Sequence, residues 1–343
     1  MLASQVSARS TVRHVSAGAR RIPIIDLSAS RADDAEGLGS LVEATRQACA
    51  EGGFFYVEHH GIPESLVEAT REQTLEFFAQ PASEKAKLHI ARSRFHRGYF
   101  PEGEENTRGY PHADVKEGFE IAVERTLDDP HVVAGTPLHG PNSWPDAMPR
   151  FRPALSGMFD HLRALSDQIC GLFALALGLP RDHFAGMTSD PIAQLRIISY
   201  PPQEYVPVEA VQRVGSGPHT DYGLISIIWQ MDGPGLEIQD GNGEWLLAPS
   251  VPDTFIIVLG DATQILTNDL WKAPVHRVVN ATGRTRHSLV YFHDPNFHCR
   301  IAPLDAFVTP ERAARHAETT MGAMVMKGFD GSYAYLGWGG KPA

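Results

Sequence analysis

Short runs of β-branched and aromatic residues, separated by turn formers, fill the second half of this chain: LISIIWQ (224–230), GLEIQD (235–240), GEWLLAP (243–249), TFIIVLG (254–260) and HSLVYFH (287–293). Gly, Pro, Asp and Asn punctuate them, the pattern of strands joined by tight turns. Many short strands of this kind predict a double-sheet jelly roll whose interior can house a ligand. The first half reads differently. IPIIDL (22–27) and FFYV (54–57) are strand-like. Residues 36–51 form an amphipathic pattern with Leu38, Leu41, Val42 and Thr45 on one face and Gly52-Gly53 as its stop, and a second helix runs from near Pro63 to near Phe78. From Pro149 to Leu179, Phe151, Leu155, Met158, Phe159, Leu162, Leu165, Ile169, Leu172 and Phe173 recur at helical spacing, which predicts one long helix supporting a sheet. A further helix is expected near 310–326. Residues 93–142, rich in Gly, His, Arg and Glu, read as irregular and as the lining or cover of a site mouth.

The expected class is therefore mainly β with helices: a double-stranded β-helix core flanked by N-terminal and supporting α-helices. It divides into a disordered basic tail (1–21), a helical and strand region packing on the core (22–180), the jelly-roll core (181–310) and a C-terminal helix and tail (311–343), with 321–338 as a candidate lid. At 343 residues the chain is long for one unit, and helical decoration accounts for the excess over a bare barrel.

Charge narrows the partners. With 30 basic and 41 acidic residues the net charge is −11, the wrong sign for a general nucleic-acid binder. A small-molecule substrate is expected, on a monomer or weak homodimer. No run approaches the roughly 20 apolar residues that span a bilayer, so no membrane partner is expected. Three separated cysteines, Cys49, Cys170 and Cys299, make neither a disulfide framework nor a zinc ribbon; the first two read as buried apolar residues suited to a reducing cytoplasm. The first 21 residues carry four arginines and no acid, also the composition of a mitochondrial transit peptide, so import stands as a second reading beside a cytoplasmic location.

The chemistry centres on His219, Asp221 and His276. In an extended strand alternate side chains share a face, so His219 and Asp221 point the same way, and His276 must arrive on a strand brought alongside. Two imidazoles and one carboxylate on one face of an octahedron leave open positions for a bidentate cosubstrate and dioxygen. Arg286 and Ser288, two residues apart on the next predicted strand, add a rigid fork and a hydroxyl suited to a carboxylate. Arg94, Arg97, Glu117 and Glu120 are weaker candidates, read as a solvated loop and an exposed strand edge.

The stretches HTDYGLISIIWQ (219–230), GDATQILTN (260–268), HRVVN (276–280) and RHSLVYFHDPN (286–296), with IPIIDLS, GGFFYVEHHGIP and RIISYPPQ upstream, resemble the isopenicillin N synthase-like family of iron(II), 2-oxoglutarate-dependent dioxygenases over roughly 22–300. HGPNSWPD (139–146) and YFHDPNF (291–297) add a nearer likeness to its bacterial ethylene-forming branch, although Lys327 and Ser288 depart from that pattern. The resemblance implies Fe(II) on His219, Asp221 and His276, and the distal carboxylate of 2-oxoglutarate on Arg286 and Ser288 with Tyr200 beside it. It also implies substrate contacts at Arg196, Tyr222 and Phe292. The implied reaction couples oxidative decarboxylation of 2-oxoglutarate by O2 to hydroxylation, desaturation or cyclisation. Three alternatives stay open at this point: a 2-oxoglutarate-independent iron oxidase of the same fold, a non-catalytic jelly-roll binding or sensor protein, and a zinc hydrolase.

Overall fold

The computed structural model describes residues 12–18, 20–31, 35–107, 110–203 and 214–333. Its strands are β1 (Val12–Ala17), β2 (Arg20–Asp26), β3 (Phe54–Glu58), β4 (Gly98–Phe100), β5 (Glu117–Ala122), β6 (Gln194–Tyr200), β7 (Ser216–His219), β8 (Ile225–Gln230), β9 (Leu236–Gln239), β10 (Trp245–Leu247), β11 (Phe255–Leu259), β12 (His276–Val278), β13 (Arg286–His293), β14 (Arg300–Ile301) and β15 (Thr319–Thr320). The helices are α1 (Ala35–Glu51), α2 (Glu64–Phe78), α3 (Ala82–Lys85), α4 (Pro130–Val133), α5 (Phe151–Ala176), α6 (Asp261–Leu266) and α7 (Met321–Ser332).

Two sheets face one another: a nine-stranded sheet in the order β1-β2-β3-β11-β8-β13-β6-β5-β4, and a four-stranded sheet in the order β10-β9-β12-β7. Alternation along the strands divides the interior in two. Ile24, Tyr56, Ile198, Ile228, Ile256 and Val258 point between the sheets, where they meet Leu236, Ile238 and Val278. Their neighbours Ile25, Phe55, Val57, Ile197, Ile227, Ile257 and Leu289 point outward into a larger core under the helices. A strand buried on both faces has no polar side, which is why these segments read as unbroken apolar runs. All nine apolar positions of the predicted stripe on α5 are buried. On α1 the buried residues are Leu41, Thr45, Ala48 and Cys49, so the buried face is turned slightly from the one expected. Gly53 ends α1 at φ 70°, and a Cβ there would come 2.4 Å from the Lys272 carbonyl.

Four expectations are corrected. Residues 12–17 pair with β2 as an antiparallel ribbon, so the second half of the supposed disordered tail is a sheet edge; residues 1–11 lie outside the described residues. The large sheet crosses the boundary drawn at 180, because β3 pairs with β11 and β5 with β6. The segment 93–142 contributes two strands of that sheet rather than loop alone, and Arg97 is buried, its guanidinium donating to the carbonyls of Phe95, His96 and Leu138. The C-terminal helix begins at Met321, not near 310. Upstream the Asn268 side chain donates to the carbonyls of Phe307 and Ala313 and accepts from Arg315 N, while His316 bonds Asp269. Those backbone groups are thereby satisfied without a helix, and Thr320 caps the helix that follows by accepting from Ala323 N at 3.3 Å.

Candidate active site

β7 ends at His219 and β12 begins at His276, and the antiparallel register makes these two residues Cα partners. Their ring centroids lie 4.3 Å apart. Asp221 stands just past the end of β7, its carbonyl accepting from Asp261 N at 2.7 Å. The Asp221 carboxylate oxygens each lie 3.7 Å from one histidine Nε2, and one donor atom from each of the three residues falls within 4.8 Å of the others.

The donor set fits a divalent transition metal. Nδ1 of His219 bonds the Gly217 carbonyl at 2.7 Å and Nδ1 of His276 the Pro274 carbonyl at 3.2 Å. Each Nδ1 therefore carries the proton, and each Nε2 turns a lone pair toward Asp221. Burial, reinforced by the neighbouring His276, lowers the His219 imidazole to about 4, so it is neutral and available as a ligand at neutral pH. Asp221 Oδ2 is buried and has no hydrogen-bond partner among the described residues. A carboxylate oxygen left so in an interior is costly until a cation meets it.

An inner cavity runs from these residues between the sheets to Arg286 and Ser288, with Tyr200 on its wall. Arg286 is Cα partner of Tyr200, Ser288 of Gln230, and both are buried. Arg286 Nε donates to the Gly233 carbonyl at 2.9 Å and Nη2 to Gln230 Oε1 at 3.0 Å. Nη1 has no partner among the described residues. The fork is thus locked in orientation with one amino group left for an anion, about 5.3 Å over the Tyr200 ring.

On the other side of His219 and Asp221 an outer cavity of about 270 Å³ opens toward solvent, roofed by Val325, Phe329 and Ser332 of α7. Tyr222 and Phe292 line it. Arg196 also lines it, but its guanidinium is already engaged. It donates to Glu120 Oε2 at 2.9 and 2.6 Å, to both oxygens of Glu105 at 2.7 and 2.9 Å, and to Tyr333 Oη at 3.1 Å. Lys116 joins from below, bonding Glu105 at 2.9 Å and Asp114 at 3.0 Å. Burial opposes ionisation of Glu105, yet Arg196 and Lys116 hold its carboxyl well below the usual range. For Glu120 burial outweighs the arginines, and its carboxyl is raised. Glu120 is therefore no exposed edge carboxylate, and Glu117 bonds Lys85 at 2.7 Å beside Tyr99. Of the candidate lid, 321–333 close the cavity and 334–338 lie outside the described residues.

Sequence reasoning missed Glu105, Asp114, Lys116 and Asp294 as lining residues. The first three lie in the segment read as covering the mouth. Asp294, in the Asp-Pro turn after β13, carries the signature of an ordinary turn residue.

Comparison with known proteins agrees with this geometry. Residues 22–147 match the family described as non-haem dioxygenase in morphine synthesis N-terminal, and 191–295 match the 2OG-Fe(II) oxygenase superfamily. A homoarginine-6-hydroxylase of Glycine max is 37% identical over 84% of this chain and 89% of its own length. A 2-oxoglutarate-Fe(II) type oxidoreductase of Emericella nidulans is 31% identical over 82% of each. Among solved structures, JOX2 in complex with 2OG, Fe and JA superposes with a TM-score of 0.69 at 27% identity, covering 88% of this chain and 82% of that one. A Neurospora crassa protein solved with alpha-KG shares the fold, with a TM-score of 0.78 at 24% identity over 92% and 98% of the two chains. The narrower likeness to the ethylene-forming branch gains no support from these relatives. With two family regions in order along its length and a relative above one-third identity over more than four fifths of it, the chain belongs to the 2-oxoglutarate-Fe(II) oxygenase superfamily, enzymes that use Fe(II), 2-oxoglutarate and O2 on small molecules.

Proposed function

We propose that His219, Asp221 and His276 bind Fe(II), that Arg286 and Ser288 hold the distal carboxylate of 2-oxoglutarate with Tyr200 against its chain, and that the outer cavity takes a small cationic amino acid of the guanidino class for hydroxylation. The observation that carries the substrate class is the charge of the cavity. Glu105, Asp114 and Asp221 line it against Lys116 and Arg196, with Asp294 as a further acid that ionises when a cation meets it, and the charges of Fe(II) and 2-oxoglutarate cancel one another. An excess of carboxylates in a narrow cleft concentrates cations. The homoarginine-6-hydroxylase of Glycine max supports the same class.

Bound to the three ligands, Fe(II) supplies an open coordination face for the keto acid and O2. The protein's own residues do the rest. The Gly217 and Pro274 carbonyls fix the imidazole tautomers, and Gln230 with Gly233 fixes the Arg286 fork. Phe292, Val325 and Phe329 provide apolar wall that keeps water from the reacting carbon, and Tyr222 bounds the substrate beside the metal ligands. Arg196 acts as a positioning residue that holds Glu105, rather than as a direct ligand of substrate. In this reading the two sheets, with strands from both sides of residue 180, form the catalytic core, and α7 closes it. Among the described residues no helix is long and apolar enough to cross a membrane. We take the enzyme to act in the cytoplasm as a monomer or weak homodimer.

The test is anaerobic titration of the apo protein with Fe(II) and then 2-oxoglutarate, followed by a screen for substrate-dependent succinate release with L-homoarginine, L-arginine and L-lysine against neutral amino acids. A weak visible band that needs His219 and weakens in Arg286→Ala, with succinate release stimulated by the cations, is expected. Iron binding with no band would favour the 2-oxoglutarate-independent oxidase. A band with no response to any cation would remove the substrate class.

A further inference from the structure

Asp294 is the first residue after β13, 5% exposed, with its carboxylate on the wall of the outer cavity near Asp221, Tyr222 and Phe292. Buried carboxylates elsewhere in this cavity are matched: Glu105 by Arg196 and Lys116, Asp114 by Lys116 and Thr107. Asp294 has no hydrogen-bond donor and no cation beside it among the described residues, and the charges that reach it, those of Asp221 and Glu120, have the same sign as its own. The chain nevertheless makes room for it. A Cβ at Gly223 would stand 2.1 Å from Asp294 Oδ1, so only glycine at 223 leaves the carboxylate its place. An acid kept in the interior without a partner destabilises a fold, and such groups cluster where a ligand completes them.

We infer that Asp294 is the specificity-determining anchor for the cationic end of the substrate, accepting hydrogen bonds from a guanidinium or ammonium group that enters between Tyr222 and α7. The inference rests on the substrate class proposed above and adds which residue selects it. Lys116 and Arg196, on the same cavity, are taken by Glu105, Asp114 and Glu120, so Asp294 is the lining acid left for the distal cation of a substrate. A guanidinium presents paired N–H donors to one carboxylate, which adds geometric selectivity to charge. In the absence of substrate, burial and the neighbouring acids push the Asp294 carboxyl up to about 8, so it is largely protonated at neutral pH and gives up that proton when a cation binds beside it.

The experiment compares wild type with Asp294→Asn, nearly the same shape without the charge, for succinate release with L-homoarginine, L-arginine, L-lysine and the neutral isostere L-citrulline. Fe(II) and 2-oxoglutarate binding are followed by the visible band, and folding by thermal melting. The expected result is a KM for the cationic substrates raised tenfold or more in Asp294→Asn. The ratio of cationic to citrulline turnover should collapse, with unchanged 2-oxoglutarate affinity and a melting temperature at or above that of wild type. If wild type turns over a cation and Asp294→Asn does so with the same KM and the same preference over citrulline, the anchor role is overturned while the substrate class survives. If wild type accepts none of the cations, both fall together.

Discussion

Arg196 and Glu120 stand opposite one another across the β6–β5 ladder and are joined by two hydrogen bonds, at 2.9 and 2.6 Å, with both side chains buried. The other amino group of the same guanidinium grips Glu105, and His96 Nε2 lies 3.6 Å from the second Glu120 oxygen. An arginine so saturated cannot also clamp a substrate without releasing an internal acid. Its value is structural: it holds a loop acid, Glu105, at the cavity wall.

Removing that guanidinium should therefore cost stability before it costs catalysis. Arg196→Met leaves Glu105 and Glu120 buried without their main partner, a loss of about 3–5 kcal/mol for a broken buried ion pair. Arg196→Lys should recover only part of it, because one ammonium cannot fork to two carboxylates. Urea unfolding of the two variants at neutral pH measures this; equal stability of Arg196→Met and wild type would show that the network is slack.

Gly235 tests the anion site without touching it. A Cβ at this position would lie 2.8 Å from Arg286 Nε and 3.1 Å from the Val279 carbonyl, so Gly235→Ala must push the fork off the Gly233 carbonyl. The KM for 2-oxoglutarate should rise about tenfold, equivalent to roughly 1.4 kcal/mol. Fe(II) affinity should stay at the wild-type value, because the proposed metal ligands His219, Asp221 and His276 belong to β7, the turn after it, and β12. Parallel titrations of metal and cosubstrate separate the two, and a matched loss of both would mean that the sheet itself had shifted.

Much of this was legible in the chain. His219, Asp221, His276, Arg286 and Ser288 lie on regular strands or next to their ends, where a period of two and a pairing register bring side chains together, so spacing carries the information. The long helix α5 was equally plain, because one stripe of large apolar residues has one burial solution. What the sequence concealed came from segments without a period. Glu105 and Lys116 reach the cavity through loop geometry, and Glu120 reads as a surface acid until Arg196 is placed opposite it. The helix expected from Pro310 failed because the side chain of Asn268, 45 residues before Ala313, claims its backbone groups.

Gly328 of α7 packs on Tyr222 so closely that a Cβ would sit 2.2 Å from the ring. Helix propensity alone favours Gly328→Ala by up to about 1 kcal/mol, whereas the contact requires either Tyr222 or α7 to move. The clash should win. Substrate KM should rise several-fold and 2-oxoglutarate consumption without substrate oxidation should increase, because the roof no longer excludes water, while the 2-oxoglutarate KM stays unchanged. Comparing succinate with hydroxylated product decides it; tight coupling in the variant would show that α7 does not seal the site.

Asp294 should make the stability of the fold depend on pH. Its folded carboxyl is raised to about 8 by burial and by Asp221 and Glu120, against about 3.9 for an unfolded aspartate. Between those values the folded protein holds a proton that the unfolded chain has released. Stability contributed by this group is therefore present at low pH and lost as pH rises through the window, with a limiting slope of about 1.4 kcal/mol per pH unit. The His219 imidazole acts in the opposite sense. Lowered to about 4 by burial and His276, it makes stability fall as pH drops below about 6.5, where the unfolded histidine takes up its proton. Wild-type stability mixes the two, but the difference between wild type and Asp294→Asn isolates the first. Metal-free samples melted from pH 5 to pH 8.5 should show the asparagine variant gaining on wild type steadily as pH rises. A constant difference across that range would mean that Asp294 is paired in solution and would remove its role as a cation anchor.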